Sequence, residues 1–269
     1  MKFSLKNVLA IVAAASALVL SGCGEKEVDT TKIKVGVMAG AEEQVAEVAA
    51  KVAKEKFGLD VELITFSDYV TPNAALDDGS IDINAFQHKP YLDQQIADRG
   101  YKLAIAGNTF VYPIAGYSKQ VKSVEEIQDG SRIAVPNDPT NLGRSLLLLE
   151  QQGLLKLRDG VGLLATVRDI VENPKNLTIV ELDAAQLPRS LDDVTLSVIN
   201  NTYASSVNLT PQRDGIFVED KESPYVNIIV AREDNLNAEN VQNFVKAYQS
   251  EEVYAAASEI FKGGVAKGW

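Results

Sequence analysis

Between Ile33 and Phe110 the chain alternates short apolar runs with amphipathic stretches, and this alternation restricts the fold more than any other feature. Ile33, Val35 and Val37 fall on one face of a strand. Residues 42–57 then carry Val45, Val48, Ala49, Val52 and Ala53 at spacings of three and four, the period of a helix face, and Gly58 supplies a C-terminal stop. A strand is expected at 59–64, a helix opened by Pro72 and ended by Gly79, and a strand at 81–86. Pro90 opens a further helix that Gly100 closes, and a strand follows around 103–110. The order predicts an α/β fold with a mainly parallel sheet and helices packed on it.

The second half continues in the same style without repeating the sequence. Ser123-Val124-Glu125-Glu126 spells a capping box. Strands are expected at 132–135, 177–182, 195–200 and 226–231, the last interrupted only by Asn227. Helices are expected at 142–152, stopped by Gly153, and near 238–249 and 252–261. Ligands of open α/β sheets lie beyond the carboxyl ends of the strands. The turns 65–72, 84–91, 136–144, 199–203 and 225–227 are therefore where binding residues should gather.

The N-terminus reads as an export signal. Lys2 and Lys6 precede an uncharged run at 8–20, the length of a signal-peptide apolar region and short for a membrane span. It ends in Leu20-Ser21-Gly22-Cys23, a lipobox pattern, and Cys23 is the only cysteine in the chain. Residues 1–22 are thus expected to be a cleaved signal peptide and Cys23 the lipidated mature N-terminus. Acyl chains contribute about 0.8 kcal/mol per buried methylene, enough for several to hold a domain on a membrane. Residues 24–31 are polar and read as a tether. With Cys23 acylated, disulfides, zinc thiolates and cysteine nucleophiles are excluded.

The net charge is -11 over 269 residues, and removal of residues 1–22 takes away Lys2 and Lys6 and no acid. So acidic a chain with no basic run is not expected to bind nucleic acid. A single histidine excludes His-rich metal sites, and neither a phosphate loop, a G-x-S-x-G elbow nor an EF-hand loop is present. No metal or cofactor is expected.

Three constellations remain. Asn84-Ala85-Phe86-Gln87-His88-Lys89-Pro90-Tyr91, with Tyr69 upstream, concentrates aromatics and one imidazole where a strand enters a helix. Aromatic rings suit a thioether at about 0.3–1.5 kcal/mol per contact, although Phe86 and Tyr91 can equally be core residues. Pro136-Asn137-Asp138-Pro139-Thr140-Asn141-Leu142-Gly143-Arg144 is a rigid turn into a helix, capped by Thr140 or Asn141. A cation in the first turn opposes the helix dipole, which makes sense if Arg144 clamps a carboxylate through a bidentate pair; a surface ion pair is the alternative. Asn200 and Asn227 each end or interrupt an apolar strand, where their carbonyls can accept from a ligand ammonium or simply tie a strand end.

The strings NAFQHKPYLDQQ (84–95), PNDPTNLGRSLLLL (136–149) and DGIFVEDKESPYV (214–226) resemble the NlpA lipoprotein family, the solute-binding components of methionine ABC importers, and the likeness runs from the lipobox to Trp269. It implies a two-lobed periplasmic-binding-protein fold of the type II kind with a ligand cleft between lobes. Residues 32–113 with 226–269 would form one lobe and 114–225 the other, closing by a hinge. Tyr69, Phe86, His88 and Tyr91 match the family's side-chain pocket, Arg144 its carboxylate ligand, and Asn200 and Asn227 its polar head-group contacts, with Asn141 beside them. Position 201 is Asn where a small residue is commoner, so Asn200 is the preferred contact. The implied partners are methionine, permease and ATPase subunits, and the membrane. L- or D-methionine, or Met-containing dipeptides, fit this reading. A hydrolase using His88 with Ser145 or Asp138, and a surface adhesin, are its rivals from other classes.

Overall fold

The computed structural model describes residues 29–220 and 223–269; the leader, Cys23 and residues 24–28 of the tether lie outside the described residues. Two sheets organise the remainder. The first has six strands in the order β13-β4-β12-β3-β1-β2: β1 (Lys32–Met38), β2 (Asp60–Phe66), β3 (Ile83–His88), β4 (Leu103–Val111), β12 (Val226–Arg232) and β13 (Ala266–Lys267). The second has five in the order β11-β5-β10-β6-β9: β5 (Ala115–Tyr117), β6 (Arg132–Pro136), β9 (Thr178–Leu182), β10 (Leu196–Ile199) and β11 (Phe217–Val218). A small antiparallel pair, β7 (Lys156–Leu157) and β8 (Ile170–Glu172), stands apart from both.

The expectation of a mainly parallel sheet is corrected. β1 pairs in parallel with β2 and β3, and β6 does so with β9 and β10, as β-α-β crossovers require. β12, however, runs antiparallel to both β3 and β4, and β5 antiparallel to β10 and β11. Both sheets are mixed because the chain leaves the first for the second at 112–114 and returns before β12, entering each sheet from the opposite end.

Helices cover both faces of the first sheet. α1 (Ala41–Phe57) lays Val45, Ala46, Ala49, Val52 and Ala53 against β1 and β3, and ends on Gly58 at φ 66°, a conformation glycine adopts without a Cβ clash. Val241 and Phe244 of α8 (Glu239–Tyr248) and Val253 and Ala257 of α9 (Glu251–Ile260) complete that layer. On the other face, Leu76 of α2 (Thr71–Asp77) and Leu92 of α3 (Lys89–Arg99) pack on Leu103, Ile228 and Val230. All six residues of β3 are buried, as a strand between two covered faces must be.

The second sheet packs one face on α4 (Pro139–Gln151), whose Leu142, Leu146 and Leu149 meet Ile133, Val135, Leu196 and Val198. Residues 123–126 form a short 3-10 turn in place of a capped helix, since the Ser123 side chain makes no cap bond. A third apolar cluster draws on both sheets: Met38, Phe86 and Tyr91 from the first meet Ala115, Tyr117, Ala134, Leu187 and Ile199 from the second. The fold is therefore a two-lobed α/β binding architecture, with the lobes meeting where the parallel strands end.

Candidate functional site

Every segment that reaches the space between the sheets leaves a strand or enters a helix there. Tyr69 follows β2; Phe86, Gln87 and His88 end β3; Tyr91 lies in the first turn of α3. Tyr112 follows β4, and Asn141 and Arg144 sit on α4 directly after β6. Asn200, Asn201 and Thr202 follow β10 at the start of α6 (Asn201–Ser206), and Asn227 is second in β12. Together they line one cleft cavity between the two sheets. All eight residues singled out from the sequence face this one cavity: Tyr69, Phe86, His88, Tyr91, Asn141, Arg144, Asn200 and Asn227.

One wall is aromatic. The Tyr69 ring lies 5.9 Å from Phe86, 6.3 Å from Tyr91 and 4.9 Å from Tyr203, while Phe86 and Tyr91 meet edge-on at 6.1 Å. Tyr91 Oη donates to the Tyr69 backbone carbonyl at 2.8 Å, which fixes the Tyr91 ring. Behind this wall, Asn73, Asn84 and Gln87 satisfy one another in a buried amide cluster, with bonds of 2.6–3.0 Å tying α2 to β3.

The opposite wall is a chain of neutral amides. Asp138, not Thr140 or Asn141, caps α4: its Oδ1 accepts from the Asn141 backbone at 2.9 Å, and both its oxygens accept from Asn141 Nδ2 at 3.0 Å. Burial raises the Asp138 carboxyl above its ordinary value, against these bonds that lower it. Asn141 Oδ1 faces inward and accepts from Asn200 Nδ2 at 2.9 Å, with His88 Nε2 at 3.2 Å. Because His88 Nδ1 accepts from the Tyr91 backbone N–H at 3.2 Å, the ring proton belongs on Nε2, donating to Asn141. Burial first, and the Arg144 charge second, push the imidazole down to about 3, so it is neutral at physiological pH.

Asn200 Oδ1 is buried and has no partner. An unsatisfied buried acceptor costs about 1–3 kcal/mol, and here it belongs to a residue lining the cavity. Asn201 is different: its Nδ2 donates to the Gly264 carbonyl at 3.2 Å, across the two lobes. Asn227 Nδ2 donates to the Phe86 carbonyl at 3.0 Å, and the β12 ladders change register on either side of Asn227 and Ile228, a bulge that re-aims a side chain.

Arg144 differs from its expectation in two ways. The helix begins at Pro139, so Arg144 lies in its second turn, and its guanidinium is already committed. Nε donates to Glu219 Oε1 at 2.8 Å, Nη2 to Glu219 Oε2, and Nη2 again to the Tyr112 carbonyl at 3.0 Å. The Tyr225 ring stacks 4.4 Å from its central carbon. The edge formed by Nε and Nη2 is thus held by Glu219, and Nη1 alone makes no hydrogen bond to the described residues. Glu219, Tyr225 and Tyr112 were not found from sequence; the first two lie inside the 214–226 string, in which no spacing or periodicity singles them out.

Further bonds cross between the lobes. Thr202 Oγ1 donates to Glu42 Oε1, and Tyr203 Oη reaches the Ser67 carbonyl at 3.4 Å. Burial pushes the Glu42 carboxyl up to about 8, with the Thr202 bond only partly opposing it. The hydrolase arrangement is not assembled: Ser145 Oγ donates to the Asn141 carbonyl at 2.8 Å within its own helix, and both nitrogens of His88 are engaged.

Comparison with known proteins follows this geometry. A relative from Vibrio cholerae serotype O1, "Probable D-methionine-binding lipoprotein MetQ", is 82% identical over 269 residues, the whole of both chains. A crystal structure described as that of the methionine binding protein MetQ superposes with a TM-score of 0.89 at 73% identity, covering 90% of this chain and 99% of that one. A nutrient binding protein from Burkholderia cenocepacia, bound to methionine, gives a TM-score of 0.86 at 52% identity over 88% of this chain and all of the other. The NlpA lipoprotein model matches residues 33–269, and the chain belongs to that family.

Proposed function

We propose that this chain is an extracytoplasmic solute-binding lipoprotein that captures methionine and delivers it to an ABC importer. The observation that carries the reading is the unpaired, buried Asn200 Oδ1 in a cavity that also offers Arg144 and an aromatic wall. A zwitterion with an apolar, polarisable side chain complements all three. Its carboxylate meets Nη1 of Arg144, its ammonium meets Asn200 Oδ1 with Asn227 beside it, and its thioether packs among Tyr69, Phe86, His88 and Tyr91. A charged side chain would be stranded among those rings at a cost of several kcal/mol.

In this reading the moving bodies are 32–113 with 226–269 and 114–225, hinged at 112–114 and before β12. The bonds between His88 and Asn141, Thr202 and Glu42, and Asn201 and Gly264 favour the closed cleft. Cys23 anchors the chain to a membrane, facing the periplasm or cell exterior, and permease and ATPase subunits receive the ligand. No catalysis is involved: closure shifts a conformational population. D-methionine, named for the Vibrio cholerae relative, shares the same groups and is a second ligand of this cavity.

The test is calorimetry on protein unfolded, washed free of carried-over ligand and refolded. One-site binding of L-methionine, weakened by a few kcal/mol in Arg144→Ala, is expected. Tight binding untouched by that substitution would move the carboxylate elsewhere. Absence of heat with L-methionine, D-methionine and Met-dipeptides alike would refute the reading.

A further inference from the structure

Arg144 stands between two spaces. On one side is the methionine cavity; on the other a neighbouring hollow is lined by Arg144, Leu147, Leu148, Glu219 and Tyr225. Glu219 lines only the second. It reaches Arg144 from behind and takes the side edge of the guanidinium, with both groups nearly out of water: the side chains are 4% and 12% exposed. The Tyr112 carbonyl takes a further Nη2 proton. So complete an engagement exceeds what holding a side chain in place requires, because Tyr225 already stacks on it.

Among the described residues that line the cavity, none other than Arg144 is charged. His88 is neutral, and Glu42, behind Thr202, is held neutral up to about 8. Asp138 is turned away into its helix cap. The ammonium partners, Asn200 and Asn227, are uncharged amides. The Arg144–Glu219 pair itself sums to zero, and a ligand of zero net charge leaves that pairing balanced. An anion of the same shape would add an uncompensated charge to it, which a low-dielectric interior penalises.

We propose that Glu219 sets the charge class of the ligand: by neutralising Arg144 from outside the cavity, it makes the site select a zwitterion over an anion of equal size. This rests on the methionine-binding reading above. Without Glu219 the site would keep the full charge of Arg144, and an anion would be the ligand that neutralises it. Glu219→Gln leaves in the same place an amide whose oxygen can still accept from the guanidinium, so the ratio of the two affinities isolates the charge effect.

The probes are L-methionine and its 2-hydroxy analogue, isosteric but anionic for want of the ammonium. Both are titrated against the full chain, Glu219→Gln, Glu219→Asp, and the double variant Arg144→Gln with Glu219→Gln. The wild type is expected to prefer methionine, and Glu219→Gln to move the ratio at least tenfold toward the hydroxy acid. Glu219→Asp should keep the wild-type ratio, and the double variant, neutral again and free of an unpaired buried charge that could impair folding, should return toward methionine. Glu219→Gln weakening both ligands equally, or leaving the ratio unmoved, overturns the proposal while methionine binding stands. A double variant that still favours the anion overturns it too. A wild type that binds no methionine overturns both readings.

Discussion

Glu42 offers a quantitative test of how tightly the lobes are pressed together. It lies at the start of α1, is only 2% exposed, and its partner Thr202 belongs to the other lobe. Tyr69, Tyr112, Tyr203 and Tyr248 face it, and no cation offsets its burial. In the unfolded chain its carboxyl ionises near 4.5, whereas in the fold it holds its proton up to about 8. The folded state thus binds more protons than the unfolded state between these values, and stability falls as pH rises through that window. At about 1.36 kcal/mol per pH unit, the whole span corresponds to about 5 kcal/mol, and the interval from about pH 5.5 to about pH 7.5 to about 2–3 kcal/mol. Glu42→Gln keeps the shape and the Thr202 bond of a neutral carboxyl but cannot ionise. Denaturant unfolding followed by fluorescence of Trp269, the single tryptophan, packed 5.1 Å from Phe110, gives the free energies of both proteins at each pH. The gap between variant and wild type should widen by about 2–3 kcal/mol in the variant's favour from the lower pH to the higher, every other titrating group cancelling in the difference. A gap that is the same at both pH values would refute the buried neutral carboxyl and the inter-lobe contact that creates it.

Three further outcomes are expected. His88, held down to about 3 in the fold against 6.5 for a free imidazole, makes the unfolded state the better proton binder below 6.5; His88→Gln should therefore lose less stability than wild type on acidification from about pH 6.5 to about pH 4.5, measured by the same unfolding curves. Gly143→Ala places a Cβ 2.1 Å from the Leu163 carbonyl oxygen, backbone that cannot rotate away, and should cost at least about 1–3 kcal/mol by thermal unfolding. Asn141→Leu strands His88 Nε2 and Asn200 Nδ2 together; methionine affinity should fall by about 2–4 kcal/mol in calorimetry, and an unchanged affinity would remove the amide chain from the site.

Local periodicity made the strands and helices of the first lobe legible. Val45, Ala49 and Val52 announce a helix face, and the aromatic-rich turn at 84–91 lies at a strand's carboxyl end, where a ligand belongs. Pairing was not legible. β12 reads as an apolar run with one asparagine, and nothing local says whether its neighbours run with it or against it; the direction follows from a crossing more than a hundred residues earlier. Arg144 was conspicuous because a cation near a helix start needs a reason. Its bond to Glu219 was hidden, since the two are 75 residues apart and glutamates are common in that stretch. Asn200 and Asn201 look alike in sequence, and only tertiary contacts distinguish them: one amide is tied to Gly264 and the other keeps a bare carbonyl oxygen.

The placement of β12 also governs the order in which the molecule can assemble. It sits between β3 and β4, yet follows them by more than a hundred residues. A chain emerging N-terminus first can pair β1, β2 and β3 early, but the outer edge of β3, with every residue destined for burial, then has no strand to meet. All strands of the five-stranded sheet, by contrast, lie between residues 115 and 218, so that sheet can close without β12. The lobe begun first is therefore the lobe finished last. Until β12 arrives, the six-stranded sheet leaves an unpaired strand edge, and pairing across so long a sequence separation slows its completion. A circular permutant opened near Ser223, in which β12 is made at the start, should fold its six-stranded sheet first and spend less time exposed.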